Sequence, residues 1–182
     1  MFGGEDTGGY AASDFHLLSY DILYDKWDDF GQLDLAISPN IASYGAGIGI
    51  SETGKGYYYG GWISNASMHG WSQNRTMSSS FYKFDYDLNK TTLANSPDNL
   101  PRAEGAMTWI PAGDTGLLVY LGGIVSPYGN GSQAPQPLDK IFVYDPSTNA
   151  WYAQTATGEI PQNRRQFCMS AAWAPDKSSY NM

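Results

Sequence analysis

One cysteine, two histidines and ten basic residues are few for a chain of 182 residues, and each scarcity removes a class of protein. A lone Cys168 forms no intramolecular disulfide, so no disulfide framework supports the fold. Only His16 and His69 could act as imidazole ligands or bases, and no Cys/His cluster has the spacing of a metal centre. Eighteen acidic against ten basic residues leave a net charge of −8, and Arg164-Arg165 is the only adjacent basic pair. Nucleic acid, whose phosphates need a basic patch, is not an expected partner. The longest apolar run, around Leu117 to Val125, contains glycine and is too short to span a bilayer, so this segment is expected to make no membrane contact itself. No charged segment and apolar run follow Met1, where a secretory leader would stand. Nor is there a convincing helical period, a Ser-His-Asp arrangement, a paired acid and base, or a nucleotide loop. Gly45, Gly47 and Gly49 alternate within a strand pattern with no helix behind them.

Glycine and aromatic residues are plentiful, and they are in phase. Gly-Gly pairs stand at Gly3-Gly4, Gly60-Gly61 and Gly122-Gly123, and an aromatic-Asp pair follows each, at Tyr20-Asp21, Phe84-Asp85 and Tyr144-Asp145. The intervals are 57 to 64 residues, and Pro39, Pro101 and Pro161 keep the same beat. Seven residues after the first member of each aromatic-Asp pair lie Trp27, Thr91 and Trp151. Repeats of this length, punctuated by glycine, indicate a modular all-β array that buries its faces between neighbours.

Overlaying the repeats gives four short antiparallel strands per unit. The first strand reads Tyr44 to Ile50, then Ala106 to Ile110, then Phe167 to Trp173. The second is the apolar run that ends in Gly-Gly. A polar loop of variable length leads to the third (Leu17 to Tyr20, Phe81 to Phe84, Ile141 to Tyr144), and a tight turn leads to the fourth, which holds the tryptophan position. In the turn Asp145-Pro146-Ser147-Thr148-Asn149, proline presets φ while Asp, Ser and Asn can bond back to the backbone.

In this order and phase the residues resemble the kelch family of β-propeller repeats, over nearly the whole chain. Gly3, Gly4, Tyr20 and Trp27 form one good copy of the motif, and Gly122, Gly123, Tyr144 and Trp151 form another. Gly60, Gly61 and Phe84 form a weaker one. The resemblance implies an incomplete kelch-type propeller of about three four-stranded antiparallel blades, two whole and two half, within one partial domain. The expected divisions are a half blade at 1-38, blades at 39-96 and 97-158, and a half blade at 159-182. Trp27 and Trp151 are expected to fill the wedge between blades, and Cys168 to be a buried apolar thiol. Three units fall short of the four to eight blades that close a ring. The remainder is expected from a longer chain, of which this is a fragment, or less readily from a second copy. The Arg164-Arg165 pair is expected in the loop that enters the last strand, where Arg102 occupies a comparable place, and the resemblance implies that an arginine in this region can face a blade-edge carbonyl or the ligand face.

Compartment is the best functional clue. With ten asparagines and 28 Ser plus Thr residues, chance predicts roughly 1.5 Asn-x-Ser/Thr sequons, yet four occur, at Asn65, Asn74, Asn89 and Asn130. All fall in predicted loops or turns, where glycans of secreted chains belong. An extracellular or cell-surface location is therefore expected, with the cytoplasm as the alternative. The resemblance adds that surface kelch proteins of filamentous fungi are acidic and sequon-rich, with a single spanning helix after the propeller. The acidic N-terminal stretch from Glu5 to Asp34 fits no EF-hand spacing and reads as solvated turns.

Two function classes follow. The first is a non-catalytic binding or scaffold module whose loops, Ser64 to Ser80 and Ser126 to Asp139, present Trp62, His69, Trp71, Tyr128 and Gln133 to a protein or glycan partner. It would need no cofactor. The second is a fragment of a galactose-oxidase-like carbohydrate or alcohol oxidase, which uses copper with two His, a Tyr pair and a Cys crosslinked to one Tyr. Cys168, His16 and His69 do not fall in that pattern.

Overall fold

The computed structural model describes residues 4–5, 16–32, 41–68 and 70–182. Apart from one 3-10 turn at Ser51–Thr53, its regular elements are all strands. β1 (His16–Asp21) and β2 (Lys26–Gln32) form an antiparallel hairpin. The first blade consists of β3 (Ala46–Ile50), β4 (Lys55–Tyr59), β7 (Phe81–Asp85) and β8 (Lys90–Ala94), hydrogen-bonded in that order. β5 (Trp62–Ile63) and β6 (Thr76–Met77) make a short ribbon between β4 and β7. β9 (Arg102–Ala103) precedes the second blade, β10 (Ala106–Ile110), β11 (Leu117–Leu121), β14 (Lys140–Asp145) and β15 (Ala150–Thr155). β12 (Ile124–Val125) pairs with both β9 and β13 (Ala134–Pro135). β16 (Ala172–Trp173) and β17 (Tyr180–Asn181) close the description. None of these sheets closes on itself among the described residues.

Alternation along the strands sorts their aromatic rings between two interfaces. Tyr57, Tyr59 and Phe81 leave one face of the first blade and meet Tyr120, Phe142 and Tyr144 of the second in a single buried cluster, with Trp151 against its rim. Tyr58, Tyr82 and Phe84 leave the opposite face and pack with Phe30 of the β1–β2 hairpin. A period of two is what a pleated strand imposes, so one run of three tyrosines serves both neighbours.

The Gly60-Gly61 and Gly122-Gly123 pairs each tie their blade to the next repeat. The Gly61 N–H donates to the Arg102 carbonyl at 2.8 Å, and the Gly123 N–H to the Arg164 carbonyl at 2.8 Å. Gly61 has φ +100°, and a Cβ there would stand 2.6 Å from the Ser43 carbonyl oxygen. At Gly123 φ is +81°, and a Cβ would lie 2.4 Å from the Ala103 carbonyl oxygen. Both the dihedral and the close approach of backbone exclude a side chain. Gly61→Ala is therefore expected to lower stability by more than about 1 kcal/mol, as urea unfolding would measure. A second tie links the residues two before β3 and two before β10 and continues to Gln166: Glu104 N–H donates to Tyr44 C=O and Gln166 N–H to Glu104 C=O, each at 2.8 Å. All three of these residues have positive φ, at 56°, 63° and 54°.

The Asp of each aromatic-Asp pair holds the turn that follows. Asp21, Asp85 and Asp145 carboxylates accept from the N–H of Leu23, Leu88 and Ser147, and Asp25, Asn89 and Asn149 complete the turns at positive φ. This is the side-chain-to-backbone bonding expected of the Asp145 turn.

Three expectations need correction. Trp27 is 56% exposed, resting on Tyr20 at 4.9 Å, because no described residue of another blade covers it as Tyr59 and Phe81 cover Trp151. The strand expected from Phe167 to Trp173 is regular only at Ala172–Trp173, because the residues before it have no ladder partner. Cys168, within that segment, is exposed rather than buried. Gly3 lies outside the described residues, while Gly4 is exposed with φ +139°.

Candidate functional site

The loops that follow the Gly-Gly pairs and the left-handed residues Tyr44 and Glu104 meet at one end of the blades. Trp62 stands at the start of β5, bridged to Ser43 by reciprocal backbone hydrogen bonds of 2.9 and 2.6 Å. Its indole N–H donates to Glu104 Oε1 at 3.0 Å. The Arg75 guanidinium lies 4.6 Å from the Trp62 ring and 5.4 Å from the Tyr44 ring, within cation–π range. It also pairs with Glu5 at 3.3 Å, and Glu5 accepts from Ser43 Oγ at 3.0 Å. On the other side, Arg165 stands 3.5 Å from Glu104 Oε2, a buried oxygen with no hydrogen-bond partner. That distance leaves an ion pair without a formed hydrogen bond.

The result is a row, Glu5, Arg75, Trp62, Glu104 and Arg165, that touches four successive units of the chain with alternating charge. Beside it Gly123, Ile124, Gln133, Ala134, Asn163 and Arg165 line an open cleft of about 320 Å³. Such a surface offers donors, acceptors and ring faces. Among the described residues no three His, Cys, Asp or Glu side chains converge as a metal site would require.

No family model matches the chain. A kelch repeat-containing protein of Arthroderma benhamiae is 28% identical to it over 211 residues, which cover 98% of this chain and 32% of that protein. This similarity supports the kelch reading of the repeats. The chain spans about a third of the length of the curated relative it matches. In the kelch frame, Gly60-Gly61 with Phe84 forms the first whole blade, and Gly122-Gly123 with Tyr144 and Trp151 the second.

The kelch loops do not present all the residues expected of them. Trp62 is buried in the β5–β6 ribbon rather than displayed, because its indole N–H is committed to Glu104. Trp71 is half-buried against the cluster around Tyr58 and Tyr82, and its indole N–H donates to the Asn74 carbonyl at 3.2 Å. Tyr128 is 80% exposed, and Gln133 is exposed on the wall of the 320 Å³ cleft. His69 lies outside the described residues. Asn65, Asn74, Asn89 and Asn130 are all exposed, the first two and the last on loops of this end and Asn89 in the β7–β8 turn at the opposite end.

Sequence reasoning did not single out Glu104, Arg75 or Glu5 as site residues. Glu104 occupies a position held by Tyr44 and Gln166 in the neighbouring repeats, so no repeated residue type marks it. Of the arginines, Arg165 joins this row, while Arg102 is 1% exposed beneath it and bonded to Asp98, Tyr59 and Gln136.

Proposed function

We propose that this chain forms part of a non-catalytic kelch propeller that displays its loop end to a protein or glycan partner outside the cell. The observation that supports the reading best is the alternating row from Glu5 to Arg165. Its charges are carried on a frame of backbone ties, while Tyr128 and Gln133 are exposed on the one loop that runs from Ser126 to Asp139. A pre-formed surface of this kind loses little conformational freedom on binding. The absence of a helix long and apolar enough to cross a membrane concerns only the described residues. The partner surface and the cellular location belong to the whole protein, of which the chain resembles a part.

Screening the chain against immobilised glycans and against extracellular proteins tests the reading. Binding weakened by Tyr128→Ala with Gln133→Ala supports it. Stoichiometric copper uptake with turnover of galactose would replace it by the oxidase alternative. The location is tested separately. When the protein is secreted from a eukaryotic host, endoglycosidase treatment is expected to remove glycans from Asn65, Asn74, Asn89 and Asn130, read as a mass shift lost stepwise in Asn→Gln variants. An unchanged mass would argue for the cytoplasm.

A further inference from the structure

The interface between the two blades changes character from one end to the other. Cross-strand register places Tyr59, Phe81 and Ala94 in one rank, Tyr57, Lys83 and Thr92 in the next, and Lys55, Asp85 and Lys90 in the last. All three ranks lie on the face turned towards the second blade. The first is sealed by Tyr120, Phe142 and Trp151, but the other two open into a cleft of about 540 Å³, whose far wall is Thr115 and Pro146. The cleft lies at the end of β4 opposite Gly60, five residues of extended strand away from the loop end.

Three of the six lysines of a chain with net charge −8 line this cleft. The repeat does not demand them: the second blade has Leu117, Val143 and Ala150 at the positions of Lys55, Lys83 and Lys90. Lys55 is paired with Asp85. Lys83 donates to Asn149 Oδ1 at 3.1 Å, and burial together with the Lys55 charge holds its ammonium below the ordinary lysine range. Among the described residues the Lys90 ammonium has no hydrogen bond or ion pair. Three ammonium groups and one carboxylate leave the cleft net positive.

We infer that this cleft is a binding site for an anionic saccharide, one whose carboxylate or sulfate groups meet Lys83 and Lys90. Its walls favour a sugar over a peptide. The cleft lies over the face of the sheet, where β4 and β7 are hydrogen-bonded on both sides, so only β8 at its border has a free strand edge for an extended peptide. The Thr53, Thr92 and Thr115 side chains instead offer hydroxyls to a hydroxylated ligand. The site is independent of the loop end, so either reading can fail alone.

Titration calorimetry of the chain with an oligogalacturonate, its methyl ester, a sulfated oligosaccharide and a glutamate oligomer tests it. One or both anionic sugars are expected to bind, weakening as salt rises, while the ester does not. Lys83→Gln with Lys90→Ala is expected to reduce the affinity at least about tenfold. Should the double variant fold poorly, Lys90→Ala alone, which breaks no side-chain hydrogen bond or ion pair among the described residues, serves as the test. No binding by either anionic sugar, unchanged affinity in the variants, or tighter binding of the glutamate oligomer would overturn the assignment.

Discussion

Arg102→Ala is expected to destabilise the chain by about 3 to 5 kcal/mol, the range for removing one partner from a buried charge cluster. The guanidinium is 1% exposed and donates to both carboxylate oxygens of Asp98 at 2.5 and 2.7 Å, to the Leu100 carbonyl, to Tyr59 Oη at 3.1 Å and to Gln136 Oε1 at 3.1 Å. It also lies 4.5 Å from the Phe142 ring. Truncation strands the buried Gln136 and Tyr59 groups and leaves Asp98 without its counter-ion. Urea unfolding would measure the loss, and a loss under about 1 kcal/mol would contradict the role assigned to the cluster. Acid should weaken the wild type through the same pair. Burial pushes the Asp98 carboxyl up, but the hydrogen bonds and charge of Arg102 outweigh it and hold it below its ordinary 3.8. A depressed carboxyl stabilises the fold above its unfolded value, and that contribution fades as pH falls below about 4. Asp98→Asn should flatten this acid limb.

Phe81→Ala is expected to cost about 3 to 5 kcal/mol, as deletion of a large buried ring does elsewhere. The ring is fully buried at the centre of the interface between blades. Its centroid lies 4.8 Å from Tyr144, 5.0 Å from Trp151, 5.9 Å from Tyr57 and 6.1 Å from Tyr59. Trp151→Ala should cost less, because Trp151 is only half-buried, although its indole N–H donates to the Asn95 carbonyl at 2.8 Å. Near-ultraviolet circular dichroism, which reads the packing of these rings, should lose more intensity in the phenylalanine variant than its single chromophore explains. An unchanged spectrum with unchanged stability would show that the blades are held by something other than this cluster.

Much of the fold was legible because its causes repeat. Gly-Gly, aromatic-Asp and the strand alternation each answer a backbone or packing demand that recurs in every unit, so their phase is visible in a single chain. The Ala106 to Ile110 strand appears with the expected bounds, and the apolar run that ends in Gly122-Gly123 is the strand Leu117 to Leu121. Residues used once are different. Glu104 shares a left-handed backbone with Tyr44 and Gln166 but no side-chain chemistry, and Arg102 reads as a loop cation until its partners are assembled around it. Lys83 did leave a signal: it alternates with Tyr82 and Phe84 on a strand flanked by blades, where an apolar residue is the rule. Trp27 and Cys168 were misplaced for one reason, since burial depends on what lies opposite and phase alone does not supply it.

The hydrogen bonds that lash Gly61 to Arg102, Gly123 to Arg164, and Glu104 to Tyr44 run between main-chain atoms, and main-chain atoms are common to every amino acid. Outside the glycines and the aromatic interface, a sector can therefore exchange side chains without disturbing these ties. Drift in one module leaves its neighbours nothing to compensate, which permits a lysine-lined groove to arise between a single pair of blades in an otherwise acidic molecule.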